Sequence, residues 1–280
     1  MLERVDWAGF RRWLLATHRP EWAGRLYCAA RKYGVVLWVP GEASRLTVLP
    51  PTTRRLAMSS LSNLSKFLGF YNSWKNIIAD TGLKWSNGSS EDMVIDRLTR
   101  VRDPDEVIAW VRSVKEMVPS LSTFMDFAAF TGLRFVEAVN GFNLIVKLDH
   151  TENLREYYDI KQEILGHYRF RDLFMRGSKK VFVSFVSKNL LDAVKGCPNT
   201  SKNAIQKRIR KAGIRLRFGD VREYWATTMT KTLQQPEIDF LQGRISTSVF
   251  MRHYFNPAWI KDLKDRTLKA ADDILGEIGV

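Results

Sequence analysis

Two arginines and a tyrosine near the end of the chain are the side chains best suited to chemistry. Arg134 closes the segment Thr131–Arg134 and is followed by Glu137, whereas Arg222 and Tyr254 come much later. A phosphodiester gains negative charge on its non-bridging oxygens during cleavage, and the planar fork of arginine donors matches those oxygens. A tyrosine can attack the phosphorus if nearby positive charge lowers the pKa of its hydroxyl. This set indicates phosphodiester cleavage by a covalent route.

These side chains lie in three short sequence boxes. The first reads T-G-L-R-x-x-E and contains Arg134 and Glu137, and the second reads R-E-Y-W-A-T and begins at Arg222. The third reads L-Q-G-R-I-S-T-S-V over residues 241–249 and is followed by Tyr254. In order and spacing the boxes resemble those of tyrosine recombinases (integrases and Xer proteins), whose second and third boxes read L-R-H-x-x-A-T and L-G-H-x-x-I-x-T-T. The resemblance implies an enzyme that cuts and rejoins DNA.

The resemblance also implies a role for each of these residues. Arg134 and Arg222 would clamp the scissile phosphate, Arg244 would join them, and Glu137 would hold the network in place. Tyr254 would be the nucleophile that leaves a 3′-phosphotyrosyl enzyme and a free 5′-hydroxyl. The 5′-hydroxyl of the partner duplex reverses the reaction, so no cofactor is expected. The expected assembly is a homotetramer on double-stranded attachment-site DNA, formed from a protein that is a monomer when free in solution.

Two positions depart from the pattern of many relatives. Gly219 stands three residues before Arg222, where many relatives carry histidine, with Arg217 close by, and Arg244 stands where many carry histidine or tryptophan. Arginine after the glycine, together with R-H-Y-F around Tyr254, is similar to archaeal virus and plasmid integrases of the fusellovirus type. Because arginine is a very poor base, we expect positive charge to lower the pKa of the tyrosine, without a side chain that abstracts its proton.

A lysine for the leaving group is expected on a β-hairpin. Residues 168–171 and 180–186 alternate in polarity on either side of the glycine-containing segment 176–179, which indicates a turn. In tyrosine recombinases a lysine at such a turn protonates the departing 5′-oxygen. The resemblance favours Lys179 for this role, with Lys180 as the alternate. At least one of the two is expected to be a phosphate-contacting or solvated residue.

The charge of the chain favours a polyanionic partner. Its 280 residues include 44 Lys and Arg against 30 Asp and Glu, which gives a net charge of +14. From residue 169 to residue 222 there are 15 basic residues and three acids. Such an excess favours nucleic acid through counterion release, although a solvated helix face is the alternative for each residue. The residues expected to contact DNA are Arg176, Lys207, Arg208, Arg210, Arg54 and Arg55. The two cysteines and four histidines show no metal-ligand spacing, so no metal site is expected.

The chain is expected to form two domains of mainly α (α+β) fold. The polar segment Ser86–Ser90 is the best linker candidate, which predicts a helical core-binding domain that clamps DNA over residues 1–88 and a catalytic domain over residues 89–280. The first contains a helical stretch from Thr53 to Trp74. In the second, a helix begins after Asp103, residues 120–130 form a buried helix, and the hairpin adds a small antiparallel sheet. With no apolar run that could span a bilayer and no signal segment, a cytoplasmic, nucleoid-associated protein is expected.

The sequence therefore predicts a site-specific recombinase, an integrase that integrates or excises a mobile element. The alternatives are a relaxing enzyme of topoisomerase type, an Xer-like recombinase that resolves chromosome dimers, and a DNA-binding relative without activity. An apolar face between Trp259 and Ile278 is expected to dock on a neighbouring protomer of the tetramer, and packing on its own domain is the alternative.

Overall fold

The computed structural model describes residues 5–85, 95, 103–176, 179–244 and 255–279, with the backbone alone for Arg176, Lys179 and Trp259. The chain forms two compact units, the first up to residue 101 and the second from residue 102. The predicted linker Ser86–Ser90 and the boundary after residue 88 lie outside the described residues. None of the described helices is long and apolar enough to cross a membrane.

The first unit is a set of helices around an aromatic and aliphatic core. Its helices are α1 (Trp7–Thr17), α2 (Pro20–Tyr33), α3 (Ser44–Thr47), α4 (Pro51–Phe67) and α5 (Tyr71–Thr81), with 3₁₀ helices at Gly34–Leu37 and Pro40–Ala43. α2 packs along α4, and α1 packs against α2. Phe10, Leu26 and Trp74 are fully buried, and the indole N–H of Trp74 donates to Ser62 Oγ at 2.8 Å.

The helical stretch predicted from Thr53 to Trp74 is two helices, α4 and α5. Between them Gly69 has a φ of +81°, and the amide of Phe70 donates to the carbonyl oxygen of Ser65 at 3.0 Å. This is a Schellman ending, in which a left-handed glycine lets the chain satisfy the last carbonyl groups of the helix. The apolar pattern runs through the break, which is why periodicity alone did not locate it.

The second unit is a larger helical body with a small sheet. Its helices are α6 (Pro104–Met117), α7 (Ser122–Thr131), α8 (Phe135–His150), α9 (Arg171–Phe174), α10 (Lys188–Lys195), α11 (Lys202–Lys211), α12 (Phe218–Met229), α13 (Gln235–Leu241) and α14 (Leu263–Ile278). Further 3₁₀ helices lie at Pro119–Leu121, Leu154–Glu156, His167–Arg169 and Pro257–Trp259. α7 is the buried helix predicted from the sequence, and it contacts α6, α8, α10, α12 and α14. The prediction of a mainly helical fold with a small antiparallel sheet is confirmed.

The described strands form a three-stranded sheet and a separate hairpin, both antiparallel. They are β1 (Tyr158–Asp159), β2 (Ile164–Leu165), β3 (Met175–Arg176), β4 (Lys179–Lys180) and β5 (Ser184–Phe185). The sheet has the order β1-β2-β5, with Leu165 opposite Ser184. In the hairpin Arg176 is opposite Lys179, so the chain reverses where the turn was predicted.

The prediction that residues 168–171 form a strand of this hairpin is wrong. Tyr168 and Arg169 lie in the 3₁₀ helix His167–Arg169, Phe170 is in a bend, and Arg171 begins α9. His167 and Phe174 are both fully buried, with their ring centroids 4.3 Å apart, whereas the residues between them are mostly exposed. A spacing of seven residues between buried positions fits helical turns better than the alternation of a strand. The strand at residues 184–185 pairs with β2 and not with β3.

The last helix packs against its own unit. α14 contacts α6, α7 and α12, and its apolar side is part of the core. Two cations of α6 bind its last carbonyl groups: Lys115 donates to the carbonyl oxygen of Ile278 at 3.2 Å, and Arg112 to that of Glu277 at 2.5 Å. Positive charge at a helix C-terminus is favourable. In this single chain α14 therefore packs in cis, the alternative that the sequence left open, and a contact of the tail with a neighbouring protomer stays a prediction.

Candidate active site

A sharp turn between α7 and α8 brings the two central arginines together. α7 ends at Thr131, and Gly132 follows with a φ of +58°. A Cβ at Gly132 would lie 2.3 Å from a ring carbon of Trp225 in α12, whose indole N–H donates to the carbonyl oxygen of Phe130 at 2.9 Å. Glycine alone fits this contact in this backbone conformation. The T-G-L-R box and the helix that carries Arg222 are therefore packed directly against each other.

Arg134 stands at the N-terminus of α8, where Glu137 holds it. The guanidinium donates to Glu137 Oε1 at 2.9 Å, and the backbone amide of Arg134 donates to Oε2 at 3.2 Å. Glu137 is fully buried, whereas 25% of the Arg134 side chain is exposed. A buried carboxylate is stable here because it faces an arginine and the first turn of a helix. Glu137 thus fixes Arg134 while part of the arginine side chain stays accessible.

Arg222 is buried and donates to two backbone carbonyl groups. Nη1 lies 2.7 Å from the carbonyl oxygen of Gly132, and Nη2 lies 2.7 Å from that of Gln242. Burial, followed by the positive charges of Arg134 and Arg244, lowers its pKa to about 9. The guanidinium is still charged at neutral pH. The carboxylate of Glu137 offsets part of the repulsion from the two neighbouring arginines, and a further anion would stabilise the group. We call Arg134, Arg222 and Arg244 the arginine cluster.

Arg244 is placed by the end of α13. Gly243 has a φ of +64°, and the amide of Arg244 donates to the carbonyl oxygen of Asp239 at 2.7 Å, which is a Schellman ending. The start of α13 is fixed as well, because the buried Glu237 is bound by Arg266 of α14 at 2.6 Å. The side chain of Arg244 is exposed. A rigid helix therefore presents this third arginine to solvent next to the buried Arg222.

The hairpin touches the turn that precedes Arg244. A Cβ at Gly243 would lie 1.5 Å from the carbonyl oxygen of Lys180, so the glycine lets the two backbones meet. Phe182, just beyond the hairpin, stacks on Phe240 of α13 with ring centroids 6.2 Å apart. Lys180 is exposed, and Lys179 is described through its backbone alone. The structure brings the hairpin to the arginine cluster, and the choice between the two lysines stays a prediction.

Two predicted supporting residues lie at the start of α12, about one turn or more before Arg222. The guanidinium of Arg217 donates to Asp220 at 2.7 Å and to Glu106 at 3.3 Å, and the hydrogen bond to Asp220 is the main cause that raises its pKa. Gly219 is exposed, and a Cβ there would meet only open space. Arg217 is therefore paired with acids, and Gly219 leaves room beside the first turn of α12.

The basic residues in the second half of α11 are exposed. Lys207, Arg208 and Arg210 lie on the outer side of this helix, and Ile205 and Ile209 are fully buried on the other side. The start of α11 is pinned to α8, because the amide side chain of Asn143 exchanges two hydrogen bonds with the backbone of residue 200, at 2.6 and 2.8 Å. This arrangement gives a firmly held positive surface.

The two arginines predicted to contact DNA from the first unit differ in their surroundings. Arg55 is exposed, as a phosphate contact requires. Arg54 is 7% exposed, and its Nη2 donates to the carbonyl oxygen of Leu49 at 3.1 Å. The burial of Arg54 favours a role in the fold of this unit over a phosphate contact. The side chain of Arg176 lies outside what the structure describes.

Gln242 belongs to the site although the sequence did not single it out. Its carbonyl oxygen binds the guanidinium of Arg222, and its Nε2 donates to the carbonyl oxygen of Arg222 at 3.2 Å. It is 1% exposed. A backbone carbonyl acceptor cannot be identified from the sequence, because every residue has one. The glycine that follows it, with an arginine next, was the available signal for a helix ending there.

Tyr254 lies outside the described residues. The residue after it, Phe255, is described, and its ring centroid lies 6.0 Å from that of Phe240 in α13.

Among the residues that the structure describes, no group of three or more His, Cys, Asp or Glu side chains is placed to hold a metal ion.

A family description named archaeal phage integrase matches residues 99–266, which is more than half of the chain and includes the arginine cluster, the hairpin and Tyr254. No curated protein and no solved structure matches the chain. Because the match covers more than half of the chain, the chain belongs to the archaeal phage integrase family.

Proposed function

We propose that this integrase is a tyrosine-type site-specific recombinase that acts on DNA without a metal ion. The observation that carries the proposal is the arginine cluster, in which a buried guanidinium stands beside two others on separate elements. Three guanidinium groups at one place repel one another, and the single carboxylate of Glu137 offsets only part of their charge, so a further anion would stabilise the cluster. A phosphodiester is the anion that an integrase handles, and arginine forks match its non-bridging oxygens.

In the proposed reaction Tyr254 attacks the scissile phosphorus. The phenolic oxygen forms the new bond to phosphorus, the bond to the 5′-oxygen breaks, and the 3′-phosphate stays on the enzyme. The phenolic proton passes to solvent, and the departing 5′-oxygen receives a proton from a lysine of the hairpin. Attack by the 5′-hydroxyl of the partner strand reverses each of these changes. The bond energy is kept, so no cofactor is consumed.

The arginines have separate parts in this scheme. Arg134 offers donors at the accessible edge of the cluster, and Arg222 stays fixed by two carbonyl groups before the substrate arrives. Donors that need no rearrangement stabilise developing charge most effectively. Arg244 adds a third charge, which would lower the pKa of the attacking tyrosine. The contact between Phe255 and Phe240 supports Tyr254 as the nucleophile, because it ties the residue after Tyr254 to α13, the helix that ends shortly before Arg244.

The proposed partner is double-stranded attachment-site DNA, bound by a homotetramer. The outer side of α11, with Lys207, Arg208 and Arg210, and the exposed Lys180 and Arg55 supply positive charge for phosphate contacts. A role in integrating or excising a mobile element follows from the family. The alternative of an Xer-like recombinase that resolves chromosome dimers would use the same chemistry. The alternative of an inactive relative would keep the basic DNA-binding surface and would not cleave DNA.

A nicked suicide substrate tests the proposal. Cleavage close to a nick releases a short strand that diffuses away, so an active enzyme stays joined to the DNA. The protein is incubated with this duplex in the presence of EDTA, and the products are separated under denaturing conditions. We expect a covalent complex with wild-type protein and none with Tyr254→Phe, which should still retard the same DNA in a native gel. An inactive relative would bind the duplex and form no adduct, and that result would overturn the proposal.

A further inference from the structure

A buried chain of three polar side chains lies at the edge of the sheet. Tyr157 Oη is 2.7 Å from Nδ1 of His167, and Nε2 of His167 is 2.9 Å from Ser184 Oγ. Tyr157 and His167 are fully buried, and Ser184 is 4% exposed. A neutral imidazole donates at one ring nitrogen and accepts at the other, so one histidine can satisfy both hydroxyls. None of the three belongs to the arginine cluster, and the reaction proposed above does not use them.

This chain of hydrogen bonds joins all three strands of the sheet. Tyr157 directly precedes β1, His167 lies two residues after the end of β2, and Ser184 begins β5. The hydroxyl of Tyr157 also lies against α8, because a Cβ at Gly141 would be 3.2 Å from it. The helix that begins beside Arg134 is thus packed on one end of the chain. His167 fixes the sheet relative to α8 through contacts that leave little room for adjustment.

From His167 the packing leads to the hairpin. The ring of Phe174 lies 4.3 Å from that of His167, and it also stacks on Tyr157 at 6.0 Å. Phe174 is the last residue before β3, and its carbonyl oxygen accepts from the amide of Val181, just after β4, at 3.2 Å. Both ends of the hairpin therefore meet at a residue whose side chain rests on His167.

The opposite side of the hairpin is fixed by Gly243. The close approach of this glycine to the carbonyl oxygen of Lys180 sets the hairpin against the turn before Arg244. The hairpin thus has two supports, one at the arginine cluster and one at the buried histidine. A shift at either support moves the lysines relative to the arginines. An error of about 1 Å in such a position can cost about a hundredfold in rate.

We infer that His167 is a positioning residue: through Phe174 it places the hairpin so that its lysine reaches the departing 5′-oxygen. The inference rests on the proposed function, since it needs the strand cleavage and the lysine acid. Histidine is suited to the place because its ring packs on Phe174 while both nitrogens hold hydroxyls. Phenylalanine keeps the ring but leaves two buried hydroxyls without partners.

The test compares two leaving groups in single-turnover cleavage of the nicked duplex. One substrate has the natural 5′-oxygen at the cut site, and the other has a bridging 5′-sulfur, which departs without a proton. The variants are His167→Phe and Tyr157→Phe; the second removes one oxygen atom and keeps the ring. The control is Ile274→Ala, which opens a cavity in the buried side of α14 in the same unit. All rates are measured at a temperature where circular dichroism shows each variant folded.

We expect both variants to cleave the oxygen substrate at least roughly tenfold more slowly than wild type, and the sulfur substrate within about threefold of it. Ile274→Ala should change the two rates in equal proportion. If the His167 and Tyr157 variants slow both substrates equally, or slow neither, the positioning role is wrong. If wild-type protein forms no adduct with either substrate, the proposed function itself fails, and the two failures are thereby distinguished.

Discussion

The guanidinium of Arg222 donates to the carbonyl oxygen of Gly132 at 2.7 Å, which ties α12 to the turn two residues before Arg134. Three residues further along α12, the indole of Trp225 covers the same glycine. The first and second boxes of the sequence are 90 residues apart at this contact, and they are held together directly by it. The geometry of the arginine cluster depends on the absence of a side chain at Gly132.

Replacing Gly132 by alanine should destabilise the protein strongly. The new Cβ meets the ring of Trp225, and the backbone there has a φ of +58°. Positive φ costs an alanine about 1–2 kcal/mol, and overpacking adds about 1–3 kcal/mol. Urea unfolding measures the loss in free energy of unfolding. Gly219→Ala is the matched control: it lies in a helix facing open space, so it should raise stability by about 0.5–1 kcal/mol. Equal effects at the two glycines would contradict the contact.

Loss of either central arginine should slow strand cleavage. Arg134→Ala and Arg222→Ala are each expected to lower the cleavage rate by roughly a hundredfold or more, as when one fixed donor for developing charge is removed. Lysine should restore only part of the rate because it lacks the planar fork. Lys195→Ala removes the same charge from a surface ion pair with Asp192 and should have little effect. Single-turnover cleavage rates on the nicked duplex test this prediction. A near-normal rate for either alanine variant would show that the arginine does not stabilise the scissile phosphate during cleavage.

The two hairpin lysines can be told apart by the leaving group. Lys179→Ala should slow cleavage of a 5′-oxygen substrate by roughly a hundredfold and that of a 5′-sulfur substrate much less, because sulfur departs without a proton. Lys180→Ala should slow both substrates by a similar, smaller factor through lost phosphate contact. The same nicked duplexes serve for both measurements. If the 5′-sulfur substrate restores cleavage by Lys180→Ala and not by Lys179→Ala, Lys180 is the general acid.

The buried His167 should make stability depend on pH in the weakly acidic range. Burial lowers its pKa from 6.5 to about 3, so the unfolded chain binds a proton that the native protein does not. The free energy of unfolding should therefore fall as the pH drops below 6.5, by up to about 1.4 kcal/mol per pH unit. Urea unfolding between pH 7 and pH 5 measures the free energy of unfolding of wild type and of His167→Gln. The contribution of His167 is the difference between the pH dependences of the two proteins. A variant that keeps the full wild-type slope would show that another group is responsible.

The sequence predicted the parts of the site that lie in local motifs. The sequence predicted a buried helix over residues 120–130 with Arg134 shortly after it, and α7 ends at Thr131 with Arg134 at the start of α8. Contacts between segments that are distant along the chain could not be predicted from the sequence. The carbonyl oxygen of Gln242 binds Arg222 from 20 residues away, and any residue could supply that atom.

The wrong strand at residues 168–171 has the same origin. Alternating aromatic and basic residues fit a strand and a helical turn equally well over four positions. The structure is decided by His167, whose partners Tyr157 and Ser184 lie 10 and 17 residues away. A buried hydrogen-bond chain of this kind has no periodic signature. The apolar face that suggested docking of the tail on another protomer covers the core of its own unit in α14, and a sequence does not distinguish these two uses of such a face.

The central claim is that Tyr254 is the nucleophile, and mapping the covalent junction tests it most directly. The trapped complex is digested with protease and nuclease, and the nucleotide-bearing peptide is sequenced by mass spectrometry. We predict a 3′-phosphoryl nucleotide on Tyr254. Tyr224 is the informative comparison, because its hydroxyl donates to Glu277 and burial raises its pKa to about 12, both of which disfavour attack. A nucleotide on Tyr224 or on any other side chain, or one joined through its 5′-phosphate, would contradict this account.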